Sequence, residues 1–155
     1  MTDQVTPLRE KDCGQLCGSL CCTDWTPGVG LYLYPGEQLL LAEEPWLHNQ
    51  NQQAEPTPEG SSNQGNRFII CDENCPRHLR PFACRTFPLT AHLNDSGQLN
   101  LVLDKRGQMI CPLVQSGMPE ILSAQFKHIM KRVWQRLLCI EEIRTSIIKQ
   151  SRFRR

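Results

Sequence analysis

The sequence predicts an α+β fold, a small cysteine-rich domain with a β-hairpin and a long C-terminal amphipathic helix. Three observations carry that expectation. Eight of the nine cysteines fall into two groups, Cys13, Cys17, Cys21 and Cys22 near the start and Cys71, Cys75, Cys84 and Cys111 in the middle. Two apolar runs flank Asn94-Asp95-Ser96-Gly97, whose residues favour tight turns. From about Pro119 onward, apolar residues recur at steps of three or four, the period of a helix with one buried face.

Taken in chain order, Gly28 to Tyr34 reads as a short strand. Pro35-Gly36-Glu37 then opens a short helix, because proline suits a first turn and an acid suits the positive end of the helix dipole. Leu39 and Leu40 are expected to supply its buried face, and Pro45 to end it. Residues 48–66 are almost free of apolar side chains, so ordering them would cost more entropy than burial returns, and they read as a flexible insert. Arg67 to Ile70 is a strand leading into Cys71. Phe87 to Leu93 and Gln98 to Leu103 form the hairpin, with left-handed backbone expected at Gly97. The helix spans 119–150, with Leu122, Phe126, Ile129, Val133, Leu137, Ile140, Ile143 and Ile147 as its stripe. At 155 residues the chain is expected to be a single domain, 1–155, with no room for two large ones.

The opening twelve residues have no apolar core flanked by basic residues and do not read as a secretory signal. A cytoplasmic location with reduced thiols is therefore expected, which turns clustered cysteines from disulfides towards metal or redox chemistry. No run of about 18 apolar residues is present to span a membrane. Within the tight parts of the two groups only zero, three or eight residues intervene, so short loops can gather soft sulfur ligands at little entropic cost. All eight thiols are candidate metal ligands, and the domain is expected to be metal-stapled. Four thiolates close a structural zinc site, and four also hold a 4Fe-4S cluster. Eight fit two four-cysteine sites, one cluster plus one zinc, or one centre with accessory thiols. Cys21 and Cys22 are adjacent, and neighbouring side chains diverge in an extended chain, so the pair can serve different metals.

The first group departs from the zinc-ribbon spacing, and from the radical-SAM spacing, since three residues separate Cys13 from Cys17 and three separate Cys17 from Cys21. The second group contains the run Cys75-Pro76-Arg77-His78-Leu79-Arg80-Pro81-Phe82-Ala83-Cys84-Arg85-Thr86-Phe87-Pro88. With the earlier Cys-Cys pair, this run resembles the bacterial CxxCxxCC cysteine-cluster family, a zinc- or iron-chelating domain whose members carry an Arg-Pro-x-x-Cys-Arg-x-aromatic-Pro block. Arg80, Pro81, Cys84, Arg85, Phe87 and Pro88 match that block, and the resemblance covers roughly residues 13 to 113. It implies chelation of zinc or iron. The chain departs from the family pattern in its opening spacing and in the polar insert after His48. Arg80 and Arg85 flank Cys84, where their charge can stabilise thiolates; the alternative is carboxylate pairing with Asp72, Glu73 or Asp104. His78 is a lesser metal candidate, His92 and His128 read as surface or core residues, and Cys139 reads as structural.

A second resemblance is shorter. Cys17-Gly18-Ser19-Leu20-Cys21-Cys22-Thr23-Asp24-Trp25 is similar to the cysteine block of iron-sulfur flagellin lysine methylases, which are much longer chains, and it implies a fragment-like relative. Nucleophile-elbow, phosphate-loop and zinc-protease motifs are absent, so enzyme activity is open but not favoured.

The net charge of +1 hides a division. Residues 1–66 hold two basic and nine acidic residues, a balance of −7, and the remainder is +8. Positive charge gathers on the C-terminal helix, where the favoured reading is a solvated helix face, and a protein partner or, with less support, nucleic acid are the alternatives.

Overall fold

The structure, a computed structural model, describes residues 5–9, 12–23, 30–49, 68–71 and 75–152. It is mixed α and β and divides into two compact units. Unit 1 is Met1–Cys21 together with Thr86–Arg155, and unit 2 is Cys22–Arg85.

Unit 2 is built on a three-stranded antiparallel sheet of β1 (Leu31–Tyr32), β2 (Leu47–Asn49) and β3 (Phe68–Cys71), with β3 in the centre. The register sets Leu31 opposite Ile69 and Leu47 opposite Cys71. Leu33, Leu41, Trp46, Ile69 and Cys71 form its core, with Leu31, Leu47, Cys75 and Leu79 packed against it. The strand expected over 28–34 is thus only Leu31–Tyr32, and Gly28 and Val29 lie outside the described residues. Of the insert expected at 48–66, His48 and Asn49 pair in β2, while residues 50–66 lie outside the described residues.

A helix does start after Pro35, as α2 (Glu37–Leu40), but it is one turn long and faces the other way. Leu39 and Leu40 are 81% and 79% exposed, so the buried face expected of them is wrong. The reason is Glu37. Its carboxylate turns inward to accept backbone N–H groups, and Leu41, four positions on and therefore on the same side, enters the core.

In unit 1 the predicted hairpin forms. β4 (Leu89–Leu93) pairs with β5 (Leu99–Leu103), from Leu89 opposite Leu103 to Leu93 opposite Leu99. Asn94 Oδ1 accepts the Gln98 N–H at 2.7 Å, and Gly97 takes φ +75°, the left-handed backbone expected of it. Leu89, Leu113, Val114, Leu122, Phe126, Met130 and Cys111 make up the core beside it.

The single helix expected over 119–150 is three pieces. A 3-10 turn at Pro119–Ile121 precedes α5 (Ala124–Leu137), and α6 (Glu141–Arg152) follows a break at residues 138–140. Ser123 caps α5, its Oγ accepting the Phe126 N–H. At the break the Cys139 and Ile140 amides bond back only three residues, to Arg136 and Leu137, so the helix tightens and stops. Packing explains why. Phe126, Met130 and Trp134 bury one face of α5, and Ile143, Ile147 and Ser151 bury one face of α6. Trp134 and Ile143 are nine positions apart, roughly two and a half turns, so a straight helix would put them on opposite sides. Ser151 Oγ accepts the Leu93 N–H at 3.0 Å and so satisfies a β4 edge amide. Among the described residues no helix is long and apolar enough to cross a membrane.

Candidate metal centre

Each cysteine of unit 2 is placed by a different element. Cys22 lies in the short helix α1 (Leu20–Thr23), and Cys71 ends the central strand. Cys75 precedes a 3-10 turn at Arg77–Leu79, closed by the Leu79 N–H bonding to the Pro76 carbonyl at 2.9 Å. Cys84 lies in α3 (Phe82–Thr86), which follows Pro81, whose fixed φ suits a first helical position.

These four thiols share one neighbourhood. Although Cys84 as a residue is half-buried, its thiol is enclosed, and burial pushes it well above its ordinary pKa, with the charges of Cys71, Cys22 and Cys75 pushing further. Burial also raises the Cys75 thiol, with Arg80 pulling against it and Cys22 adding to it. The Arg80 guanidinium feels the reciprocal effect. Burial works against its charge, but Cys22, Cys75 and Cys84 outweigh that and hold it above its usual value, and it donates a hydrogen bond to the Cys75 sulfur. Arg80 is therefore the cation that faces the thiols.

Arg85 is not. Its Nε donates to the Arg80 carbonyl at 2.8 Å and its guanidinium also bonds to the His78 carbonyl, so it braces the loop that carries Arg80. Of the carboxylates considered as partners for these arginines, Asp72 and Glu73 lie outside the described residues, and Asp104 pairs with Arg106 at 2.5 Å.

In unit 1, Cys13 opens a 3-10 turn at Cys13–Leu16 that Asp12 caps by accepting the Gly14 N–H at 3.0 Å. Cys17 ends that turn, and Gly18 and Ser19 then take left-handed backbone, turning the chain into α1, where Cys21 lies. Cys111 is reached from the hairpin. Asp104 caps a 3-10 turn at Lys105–Gly107, and the Gly107 carbonyl accepts the Cys111 N–H at 2.8 Å, just before α4 (Pro112–Gln115). A side chain at position 107 would meet the Phe87 ring at 2.5 Å, which is why glycine stands there. Cys13 packs against the core cluster that contains Cys111. The eight predicted ligands thus divide four and four, with the unit boundary at the Cys21-Cys22 bond.

No disulfide links any of the nine cysteines. Among the described residues, no three cysteine, histidine, aspartate or glutamate side chains converge closely enough to hold a metal ion as they stand. Four thiols are the donor type that a zinc or iron-sulfur site takes. His78 is exposed, as is His128 on α5, while His92 is half-buried on β4 with Nδ1 enclosed. Cys139, read as a structural thiol, is exposed at the α5–α6 break, its Sγ donating to the Gln135 carbonyl at 3.5 Å.

Glu37 was missed as a site residue. Its Oε1 accepts the Phe82 N–H at 2.5 Å and its Oε2 the Tyr34 N–H at 2.7 Å, so it holds the start of the helix that carries Cys84. The available signal was an acid at the head of a turn whose i+4 partner, Leu41, is apolar. No family model, curated protein or solved structure matches the chain.

Proposed function

We propose that the chain is a cysteine-cluster metal-binding protein that holds zinc or an iron-sulfur cluster, with its principal site at Cys22, Cys71, Cys75 and Cys84. The observation that carries this reading is the enclosed Cys84 thiol, within electrostatic reach of the other three and with Arg80 opposite. Arg80 offsets the negative charge that four thiolates would bring, and its hydrogen bond to Cys75 is the kind of contact that orients a ligand. Because the thiols do not yet converge at coordination distance, binding would draw unit 2 tighter, coupling metal to folding.

Cys13, Cys17, Cys21 and Cys111 form the second set of the same reading. It is supported by the contact of Cys13 with the core that contains Cys111 and by the even division of thiols between the units. The role is structural, redox or metal-handling, and a cytoplasmic setting would keep the thiols reduced.

The test is metal analysis with an ultraviolet-visible spectrum on protein purified without oxygen. Colourless protein with about one or two zinc ions per chain supports structural sites. Brown protein with about four irons and broad violet-blue absorption supports a 4Fe-4S cluster. Protein that takes up neither, with all thiols titratable, overturns the reading.

A further inference from the structure

Helix α5 carries Lys127, Lys131, Arg132 and Arg136 over its 14 residues and no acid. At about 100° per residue Lys127 and Lys131 lie along one edge of the solvent-facing half of the helix and Arg132 and Arg136 along its other edge, with His128 and Gln135 between them. Phe126, Met130 and Trp134 occupy the other half and are fully buried. Lys131, Arg132 and Arg136 are exposed, and Lys127 is half-buried with its Nζ donating to the Pro119 carbonyl at 3.3 Å. The pairs Lys127/Lys131 and Arg132/Arg136 each set two charges about 6 Å apart along the axis.

A cavity of about 250 Å³ opens beside the Lys127–Lys131 edge. Leu89, Leu99 and Leu101 give it an apolar floor, and Asn100, Lys127, His128 and Lys131 line its polar side. We propose that this face of unit 1 binds a single-stranded nucleic acid that crosses α5, with phosphates at the Lys127–Lys131 edge and at the Arg132–Arg136 edge and one unpaired base in the leucine-floored cavity.

Two features favour that occupant. Two pairs of cations on a helix without acids suit a polyanion of closely repeated charge, and a base offers an apolar face to the leucines and a polar edge to the Asn100 amide. A duplex would leave the cavity unused because its bases are paired. An anionic membrane fits less well, since α5 spends its large apolar residues in the core and its exposed half has none of that size to insert. The site is independent of the metal reading, because it contains no cysteine and lies wholly in unit 1.

The test is fluorescence anisotropy of a short labelled thymidine or uridine oligonucleotide on the metal-retaining protein, titrated between about 50 and 300 mM salt. Four phosphate contacts predict a slope of log affinity against log salt of roughly −3. Arg132→Glu with Arg136→Glu should halve that slope and weaken binding at least about tenfold at low salt. Lys105→Glu, which reverses an exposed cation on the turn after the hairpin, should leave binding as it is. All substituted residues are exposed, so unchanged melting temperatures check the fold. An oligonucleotide with abasic positions should bind more weakly than the intact one. Three outcomes overturn the proposal: no binding at low salt, binding untouched by the double reversal, or phosphatidylserine vesicles or polyglutamate bound in preference to the oligonucleotide. Equal affinity for the abasic strand overturns the assignment of a base to the cavity.

Discussion

The carboxylate of Glu37 accepts the backbone N–H of Phe82 at 2.5 Å, joining two residues 45 positions apart. Tyr34, whose amide bonds to the other oxygen, also meets the Phe82 ring edge-on with centroids 5.9 Å apart. One side chain thus fixes the α2 turn to the first residue of the helix that carries Cys84.

Removing that link should loosen unit 2. Glu37→Ala leaves two backbone donors without their acceptor, and urea unfolding is expected to show a loss of about 1–3 kcal/mol. Unchanged stability would mean that the two amides find water at no cost.

The same carboxyl gives stability a pH dependence of definite sign. Burial raises its pKa above the ordinary glutamate value, outweighing the Phe82 and Tyr34 amides and the Arg85 charge. The folded state therefore holds this proton more tightly than the unfolded state does. The contribution is fully present below the unfolded pKa and is lost as pH rises through the folded one. Relative to Glu37→Gln, the native protein should lose unfolding free energy over that interval and run parallel above it. Denaturant melts of both across the carboxylate range measure the difference, and parallel curves throughout would contradict it.

Single cysteine substitutions should resolve the two sets. Cys71→Ser or Cys84→Ser is expected to empty the principal site, and Cys111→Ser the other, each lowering bound metal by a separate increment. Cys139→Ser should retain the full complement, because that thiol is exposed and apart from both sets. If Cys71→Ser and Cys111→Ser abolish the same increment, one centre uses both sets.

The two arginines beside Cys84 should behave differently. Arg80→Gln removes the cation facing Cys22, Cys75 and Cys84, and competition with a chromophoric chelator should show metal affinity reduced by about 10–100-fold. Arg85→Gln removes the bonds to the Arg80 and His78 carbonyls, so its main effect is expected on melting temperature. Equal effects of both on affinity would mean that general positive charge, and not the contact with Cys75, matters.

Ser151→Ala deprives the Leu93 amide of its acceptor at a buried β4 edge, with an expected cost of about 1–3 kcal/mol in chemical denaturation. A neutral result would imply that a water takes the place of the hydroxyl.

The hairpin was legible because its instruction is local: Asn94 and Gly97 encode the turn, and the flanking leucines encode the strands. Residue type and spacing singled out the cysteines, but not which of them the fold places in the same unit. Cys111 is 27 residues past Cys84 yet lies in the same unit as Cys13, because the hairpin and the Asp104-capped turn carry it into the unit 1 core. The helix break escaped notice since neither proline nor glycine marks it, and since the stripe as read passed through Ile129 and Val133 in place of Met130 and Trp134. Reading the half-turn mismatch between Trp134 and Ile143 would have exposed it. Leu39 and Leu40 misled for a simpler reason: in a one-turn helix composition says little about orientation, and two backbone amides reaching Glu37 decided it.

Unit 2 is a single continuous stretch set within the sequence of unit 1, which has its two parts on either side of it. During synthesis, residues 22–85 emerge from the ribosome before the hairpin and the C-terminal helices do. The inner unit can therefore begin to fold on the nascent chain, while residues 5–21 wait for the hairpin, Cys111 and α5 to be translated before they have a core to join.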